Sequence, residues 1–266
     1  MSGKFDSFKT YYSINKVNQK TPIVFIHGVG LTHEMWSPQI NFFKQYNTVI
    51  YDLIGHGKTP LIKKTQLKIN DFSKQLLKLI NELSYKKIHL VGFSLGSLIA
   101  RDFAAKHSDR LSSLILHCSI YKRTEDQKRI VLSRYEAIKM NREVTKKRAL
   151  IRWFSENFIK KNPVIYKKIY SILDKNNHEN LMKSYKIFAH YEDDDTIIKK
   201  INTNTLITTG ENDVGSTPEM SKNLCKKIKG SKFKEIKNGK HLCNIECSEQ
   251  FNKIIESFVD KNYDEA

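Results

Sequence analysis

The chain has 266 residues and carries 46 Lys and Arg against 28 Asp and Glu, a net charge of +18. That length buries one substantial core, and the absence of any apolar run long enough to span a bilayer predicts no membrane helix. The lysines are scattered in pairs such as Lys63-Lys64 and Lys226-Lys227 with no recognition motif among them, so they read as solvated surface and no nucleic-acid partner is expected.

Pro22 to Ile26 is continuously apolar and reads as a buried strand. His27-Gly28-Val29-Gly30 follows it, and the glycines let this loop fold close to a neighbouring element, with the Val29 N–H available as a donor. A second apolar strand precedes the turn-rich stretch Asp52 to Thr59. Lys87 to Val91 is again apolar and partly β-branched, and leads into Gly92-Phe93-Ser94-Leu95-Gly96. From Leu95 to His107, Leu95, Leu98, Ile99 and Phe103 recur at helical spacing. A serine forced into a strand-to-helix turn has its hydroxyl pushed out above the sheet edge, and the Leu95 N–H at the helix start points at whatever that hydroxyl attacks.

Between a strand ending near Ser119 and another starting near Thr205, the strand–helix alternation is interrupted. Helical patterns, such as Ile130, Arg134 and Ile138 and then Leu150, Trp153 and Phe154, predict an inserted helical cap over roughly 120–198. From Ile120 to His190, 18 Lys and Arg stand against 7 Asp and Glu, so most of the chain's net charge sits there. A basic cap over a reactive serine would draw in an anionic substrate. The run Glu192-Asp193-Asp194-Asp195 is expected to end the cap with its charges solvated, and Trp153 and Phe154 are candidate substrate contacts.

Thr205 to Thr209 reads as a strand, with Asp213 in the turn beyond it and Glu211 as the alternative acid. Lys232 to Lys237 is strand-like, and His241 lies on the loop after it, ahead of a helical run with Phe251, Ile254, Ile255 and Phe258. His241 is thus the best-placed base for Ser94; His89 lies inside a strand, and His107 and His178 lie in helical or polar stretches. Four cysteines in a chain this long do not read as a disulfide framework. His241, Cys243 and Cys247 lack a second Cys/His pair at zinc spacing, so no metal is expected and Cys243 reads as a pocket-wall residue.

Taken together these segments resemble the α/β-hydrolase superfamily along nearly the whole chain. The carriers are His27-Gly28-Val29-Gly30 with Trp36 beyond it, Asp52 to Thr59, the Ser94 turn, Thr209-Gly210-Glu211-Asn212-Asp213 and Gly239-Lys240-His241. Within it, His241 to Glu246, Ser216-Thr217-Pro218-Glu219 and Arg152-Trp153-Phe154 look like 3-oxoadipate enol-lactonases and related esterases. Asn180 to Tyr191 does not match that group, and Ser97 stands where a second glycine is usual.

The resemblance implies an α/β fold, a mostly parallel sheet flanked by helices, as one domain with the inserted cap. It implies a Ser94–Asp213–His241 triad in that chain order, an oxyanion hole from the Val29 and Leu95 N–H groups, and Gly28 beside the substrate. The expected activity is hydrolysis of a small carboxylic ester or lactone through an acyl-enzyme, with no cofactor; an anionic substrate would give the basic cap a purpose, and a merely solvated basic surface is the alternative. Acyl transfer or C–C bond hydrolysis by the same triad, and ligand binding without catalysis, are the alternatives. Met1 to Asp6 lacks an apolar signal core, which sets a cytoplasmic location as the expectation.

Overall fold

In the computed structural model, which describes residues 3–64 and 66–263, the described strands join in one eight-stranded sheet. They are β1 (Lys4–Phe5), β2 (Tyr11–Asn15), β3 (Ile23–Ile26), β4 (Thr48–Tyr51), β5 (Ile88–Phe93), β6 (Leu111–His117), β7 (Thr205–Gly210) and β8 (Lys232–Ile236), in the order β1-β2-β4-β3-β5-β6-β7-β8. β2 runs antiparallel to β1 and β4, and all the remaining pairings are parallel.

The helices are α1 (Ser37–Phe42), α2 (Ile69–Glu82), α3 (Leu95–Lys106), α4 (Glu125–Met140), α5 (Arg142–Trp153), α6 (Glu156–Lys161), α7 (Pro163–Asp174), α8 (His178–Ala189), α9 (Asp195–Ile198), α10 (Pro218–Cys225), α11 (Cys243–Glu246) and α12 (Ser248–Asp260). None of the described helices is long and apolar enough to cross a membrane.

The central strands β3, β4, β5 and β7 are buried at every residue because both faces of the sheet are covered. Val24 and Ile26 of β3 enter a cluster with Phe72 and Leu76 of α2, Leu98 and Phe103 of α3 and Leu224 of α10. Ile23 and Phe25, one step out of phase, enter a second cluster with Trp36, Phe43 and the α12 residues Phe251, Ile255 and Val259. The period of two along the strand therefore builds both layers at once.

Helices α4 to α9 lie in the chain between β6 and β7. Their starts are set by side-chain caps: Thr124 and Gln127 bond reciprocally at α4, Asn141 caps α5, Ser155 caps α6 and Asn177 caps α8. The acidic run before α9 corrects one expectation. Asp193 is not solvated: it pairs with Arg101 of α3 at 2.5 Å, their side chains 5% and 1% exposed. Asp194 caps α9, and Asp195 accepts from Tyr121 and Lys122.

Candidate active site

Two glycines create the turn between β5 and α3. A Cβ on Gly92 would lie 2.3 Å from the Gly96 carbonyl oxygen, and a Cβ on Gly96 would lie 2.5 Å from the Ile26 carbonyl oxygen and 2.7 Å from that of His27. These contacts are backbone to backbone and cannot give, so only glycine lets α3 start this close to β3 and β5. Ser94 sits between them at φ +54°, ψ −114°, a conformation costing on the order of 1–3 kcal/mol for a residue with a side chain. Its N–H continues the ladder by donating to the His117 carbonyl at 2.9 Å. The Ser97 hydroxyl donates to the Ser94 carbonyl at 2.6 Å, so the serine at 97 braces the turn. Leu95 is the first residue of α3, and its N–H has no acceptor within the helix.

Asp213 and His241 come from the loops after β7 and β8. Asp213 Oδ2 accepts from His241 Nδ1 at 2.7 Å, while Asp213 Oδ1 accepts the backbone N–H groups of Gly215 at 2.8 Å and Ser216 at 3.0 Å. Burial opposes ionisation of Asp213, but the His241 charge and these donors outweigh it and hold the carboxyl below its ordinary range. For His241 burial acts against the imidazolium, yet the Asp213 charge and hydrogen bond lift its pKa above the ordinary value. With Nδ1–H given to Asp213, Nε2 is the nitrogen that can take a proton. Glu211 is engaged elsewhere, accepting from the Asn238 N–H and from Lys237.

The loop after β3 closes the site. A Cβ on Gly28 would sit 2.9 Å from the Phe93 ring and 3.3 Å from Ser94 Cβ, so glycine is what allows this approach. Gly28 itself does not line the cavity, whereas Val29, Gly30 and Leu31 do. His27 is a brace: its Nε2 accepts from the Leu53 N–H at 3.0 Å and its Nδ1 donates to the Gly28 carbonyl at 2.8 Å. Burial, with help from His56, holds it neutral with a pKa pushed down to about 3.

Ser94, Asp213 and His241 share one cavity of about 410 Å³, whose other side is formed by the helices between β6 and β7. Several ties fix those helices over it. Asn176 donates to the Gly30 carbonyl at 2.6 Å, the Leu242 N–H donates to the Trp153 carbonyl at 3.1 Å, and Lys240 reaches the Ile151 carbonyl at 3.0 Å. Trp153 lines the cavity with its ring 6.1 Å from that of His241. Phe154 does not: α5 ends at Trp153, and the extended backbone of Phe154 (φ −124°, ψ 151°) takes its ring off the helix into the second apolar cluster, fully buried and stacked on Phe158. Cys243 is likewise fully buried and is not a wall of the cavity.

The cavity that Ser94 lines also carries cations. Arg123, Arg134, Arg148 and Arg152 line it, and none has a carboxylate within ion-pair distance among the described residues. Arg123 and Arg152 are half-buried, and burial pushes each guanidinium down to about 10, with the charge of Arg134 adding to the effect. Both stay charged at neutral pH; Arg123 donates to the Phe188 and Ala189 carbonyls and feels the charges of Asp193 and Glu192, and Arg152 feels that of Asp213.

A model of the alpha/beta hydrolase fold matches residues 21–246. The (E)-2-((N-methylformamido)methylene)succinate hydrolase of Acinetobacter baylyi is 30% identical over 245 residues, 90% of each chain. The 3-oxoadipate enol-lactonase 1 of the same species is 29% identical over 249 residues, 92% of this chain and 91% of that one. Among solved structures, the enol-lactonase from Burkholderia xenovorans LB400 superposes with a TM-score of 0.86 at 22% identity, covering 94% of this chain and 97% of that one, a likeness of fold.

Proposed function

The chain belongs to the alpha/beta hydrolase fold family, and we propose that it hydrolyses a small carboxylic ester or lactone that carries an anionic group. The observation that carries this reading is the His241–Asp213 pair at 2.7 Å opening onto the cavity that Ser94 lines. Ser94 Oγ attacks the carbonyl carbon as its proton passes to His241 Nε2. The N–H groups of Val29 and Leu95 hold the tetrahedral oxyanion. The His241 imidazolium, stabilised by Asp213, then protonates the alkoxide as its bond to the carbonyl carbon breaks, which frees the alcohol of an ester and leaves that of a lactone attached to the acyl group. Water, deprotonated by His241, attacks the acyl-enzyme and returns Ser94 with its proton.

The helices from 125 to 198 serve as the cap, keeping bulk water from the acyl-enzyme and presenting the arginines. Arg123, Arg134 and Arg152 lack carboxylate partners among the described residues, which favours a substrate that brings its own carboxylate. Two full-length relatives are named for a succinate and an adipate derivative, which agrees with that class.

The test compares neutral p-nitrophenyl esters with carboxylate-bearing esters and lactones, using wild type and Ser94→Ala. Hydrolysis of the anionic set that disappears in Ser94→Ala is the expected result. Equal rates in the two proteins would refute the mechanism. Products that appear only with an added acceptor alcohol or thiol would move the activity to acyl transfer.

A further inference from the structure

The cavity that Ser94 lines is unbalanced in charge. Arg123, Arg134, Arg142, Lys146, Arg148 and Arg152 line it, and Asp213 is the one carboxylate among the described residues that do. Asp213 is already engaged by His241 and two backbone N–H groups. Three of the cations are engaged by the protein as well. Arg142 donates to the carbonyls of Leu173, Asp174 and Asn176, Lys146 pairs with Glu143 and Asp174, and Arg123 donates to the carbonyls of Phe188 and Ala189. Arg134, Arg148 and Arg152 donate to no group among the described residues.

The placement of these three is regular. Thr145, Arg148, Ala149 and Arg152 form one stripe of α5 along the cavity, so Arg148 and Arg152 stand about 6 Å apart along the helix axis. Like charges four residues apart oppose a helix rather than support it, so the pair is held at a cost in stability. Arg148 is exposed and Arg152 half-buried, and the next residue, Trp153, has its ring 6.1 Å from that of His241. The stripe therefore runs from solvent toward the catalytic pair. Arg134 comes from α4 and Tyr185 from α8. The Tyr185 ring stacks on that of Tyr135 at 6.0 Å, and its hydroxyl has no hydrogen-bond partner among the described residues. The charges of Arg134 and Arg152 both reach Tyr185, yet burial outweighs them and raises its pKa, so the phenol keeps a proton to donate.

We propose that the substrate carries two free carboxylates besides its scissile carbonyl, one held by Arg152, Arg134 and the Tyr185 hydroxyl, the other by Arg148 nearer the mouth. This rests on the hydrolase reading and narrows its substrate class. A single carboxylate would leave two guanidinium groups without a counter-ion; two carboxylates leave one. Separate carboxylates suit guanidinium groups spread along α5 better than one compact phosphate does, because each planar fork matches one carboxylate. When both groups sit on the acyl part, ester and water give a tricarboxylate, an alcohol and a proton. A tricarboxylate is thus the product-like probe for the site.

The experiment is calorimetric titration of wild type, Arg148→Leu, Arg152→Leu and Arg129→Leu with tricarballylate, succinate and inorganic phosphate at fixed ionic strength, with folding checked by circular dichroism. Wild type is expected to bind tricarballylate at least about ten-fold more tightly than succinate, the worth of one charge-assisted hydrogen-bonded pair. Arg148→Leu abolishes that preference, and Arg152→Leu weakens both carboxylates about ten-fold or more. Arg129→Leu, which alters an exposed arginine paired with Asp126, changes neither. Equal binding of tricarballylate and succinate by wild type overturns the proposal, as does a preference that survives Arg148→Leu or phosphate bound more tightly than tricarballylate. The monomethyl esters of the two acids separate this proposal from the reading beneath it. Equal kcat/KM for both esters overturns the two-carboxylate substrate and leaves a hydrolase. The expected binding pattern without hydrolysis of any ester overturns the hydrolase and leaves the anion site standing.

Discussion

Replacing Asp213 with asparagine tests the acid's role with little change of shape, and the local hydrogen bonds determine the outcome. Oδ1 accepts two backbone N–H groups, from Gly215 and Ser216, and Oδ2 accepts from His241 Nδ1. In the asparagine side chain one of these oxygens becomes NH₂. Setting that NH₂ toward the two backbone donors would strand two buried N–H groups at about 1–3 kcal/mol each, so the amide oxygen stays with the backbone. The NH₂ then faces His241 and donates to Nδ1, which forces the imidazole proton onto Nε2. In that tautomer His241 cannot accept the Ser94 proton, and kcat falls on the order of 10⁴-fold, or about 5 kcal/mol of barrier. The assay is the initial rate of ester hydrolysis, resolved into kcat and KM, beside a thermal melt. KM and Tm should barely move. A fall of less than about ten-fold would refute the tautomer argument, and a loss confined to Glu211→Gln would transfer the role to Glu211.

Other expectations are as specific. Asp213 raises the His241 pKa above the ordinary 6.5, and the base must be neutral to act, so the acid limb of kcat/KM lies above pH 6.5 in wild type; in Asp213→Asn the residual activity shows that limb at lower pH, and an unmoved limb would contradict the coupling. Gly96→Ala puts a Cβ against two backbone carbonyls and should cost about 3 kcal/mol or prevent folding, measured by chemical denaturation. Asp193→Ala strips the partner from the buried Arg101 guanidinium and should lower stability by about 3–5 kcal/mol, whereas a change in Tm below about 2 °C would show the pair to be dispensable. An anion about 5 Å from the Arg152 guanidinium gains about 3 kcal/mol at an effective dielectric constant of about 20, less when partly solvated. Arg152→Leu should therefore cut kcat/KM for carboxylate-bearing esters ~10–30-fold and leave neutral esters within about three-fold.

The parallel part of the sheet is legible in the sequence because strands buried on both faces are short runs rich in apolar and β-branched residues, and Pro22 to Ile26, Lys87 to Val91 and Thr205 to Thr209 all mark real strands. The points where Ser94, Asp213 and His241 fall are legible for a related reason: each follows a strand, and parallel strands end on one edge. What distance along the chain hides is different in kind. The Asn176 bond to the Gly30 carbonyl and the Arg101–Asp193 pair join segments brought together only by the fold. Helical spacing groups Trp153 and Phe154 but does not show that the helix ends between them, which leaves Trp153 on the cavity and turns Phe154 into the core. The antiparallel β1 and β2 escape detection because their pattern is short and mixed. The basic composition of the inserted helices is visible in the sequence, while the gathering of Arg123, Arg134 and Arg152 in the cavity that Ser94 lines is not.

The central claim is that Ser94 is a nucleophile activated by His241. A fluorophosphonate probe, followed by digestion and mass spectrometry, tests it without knowledge of the substrate. One covalent adduct is expected, on Ser94, which disappears in Ser94→Ala and forms far more slowly in His241→Ala. No adduct on the folded wild-type protein, or an adduct on another residue, would contradict it.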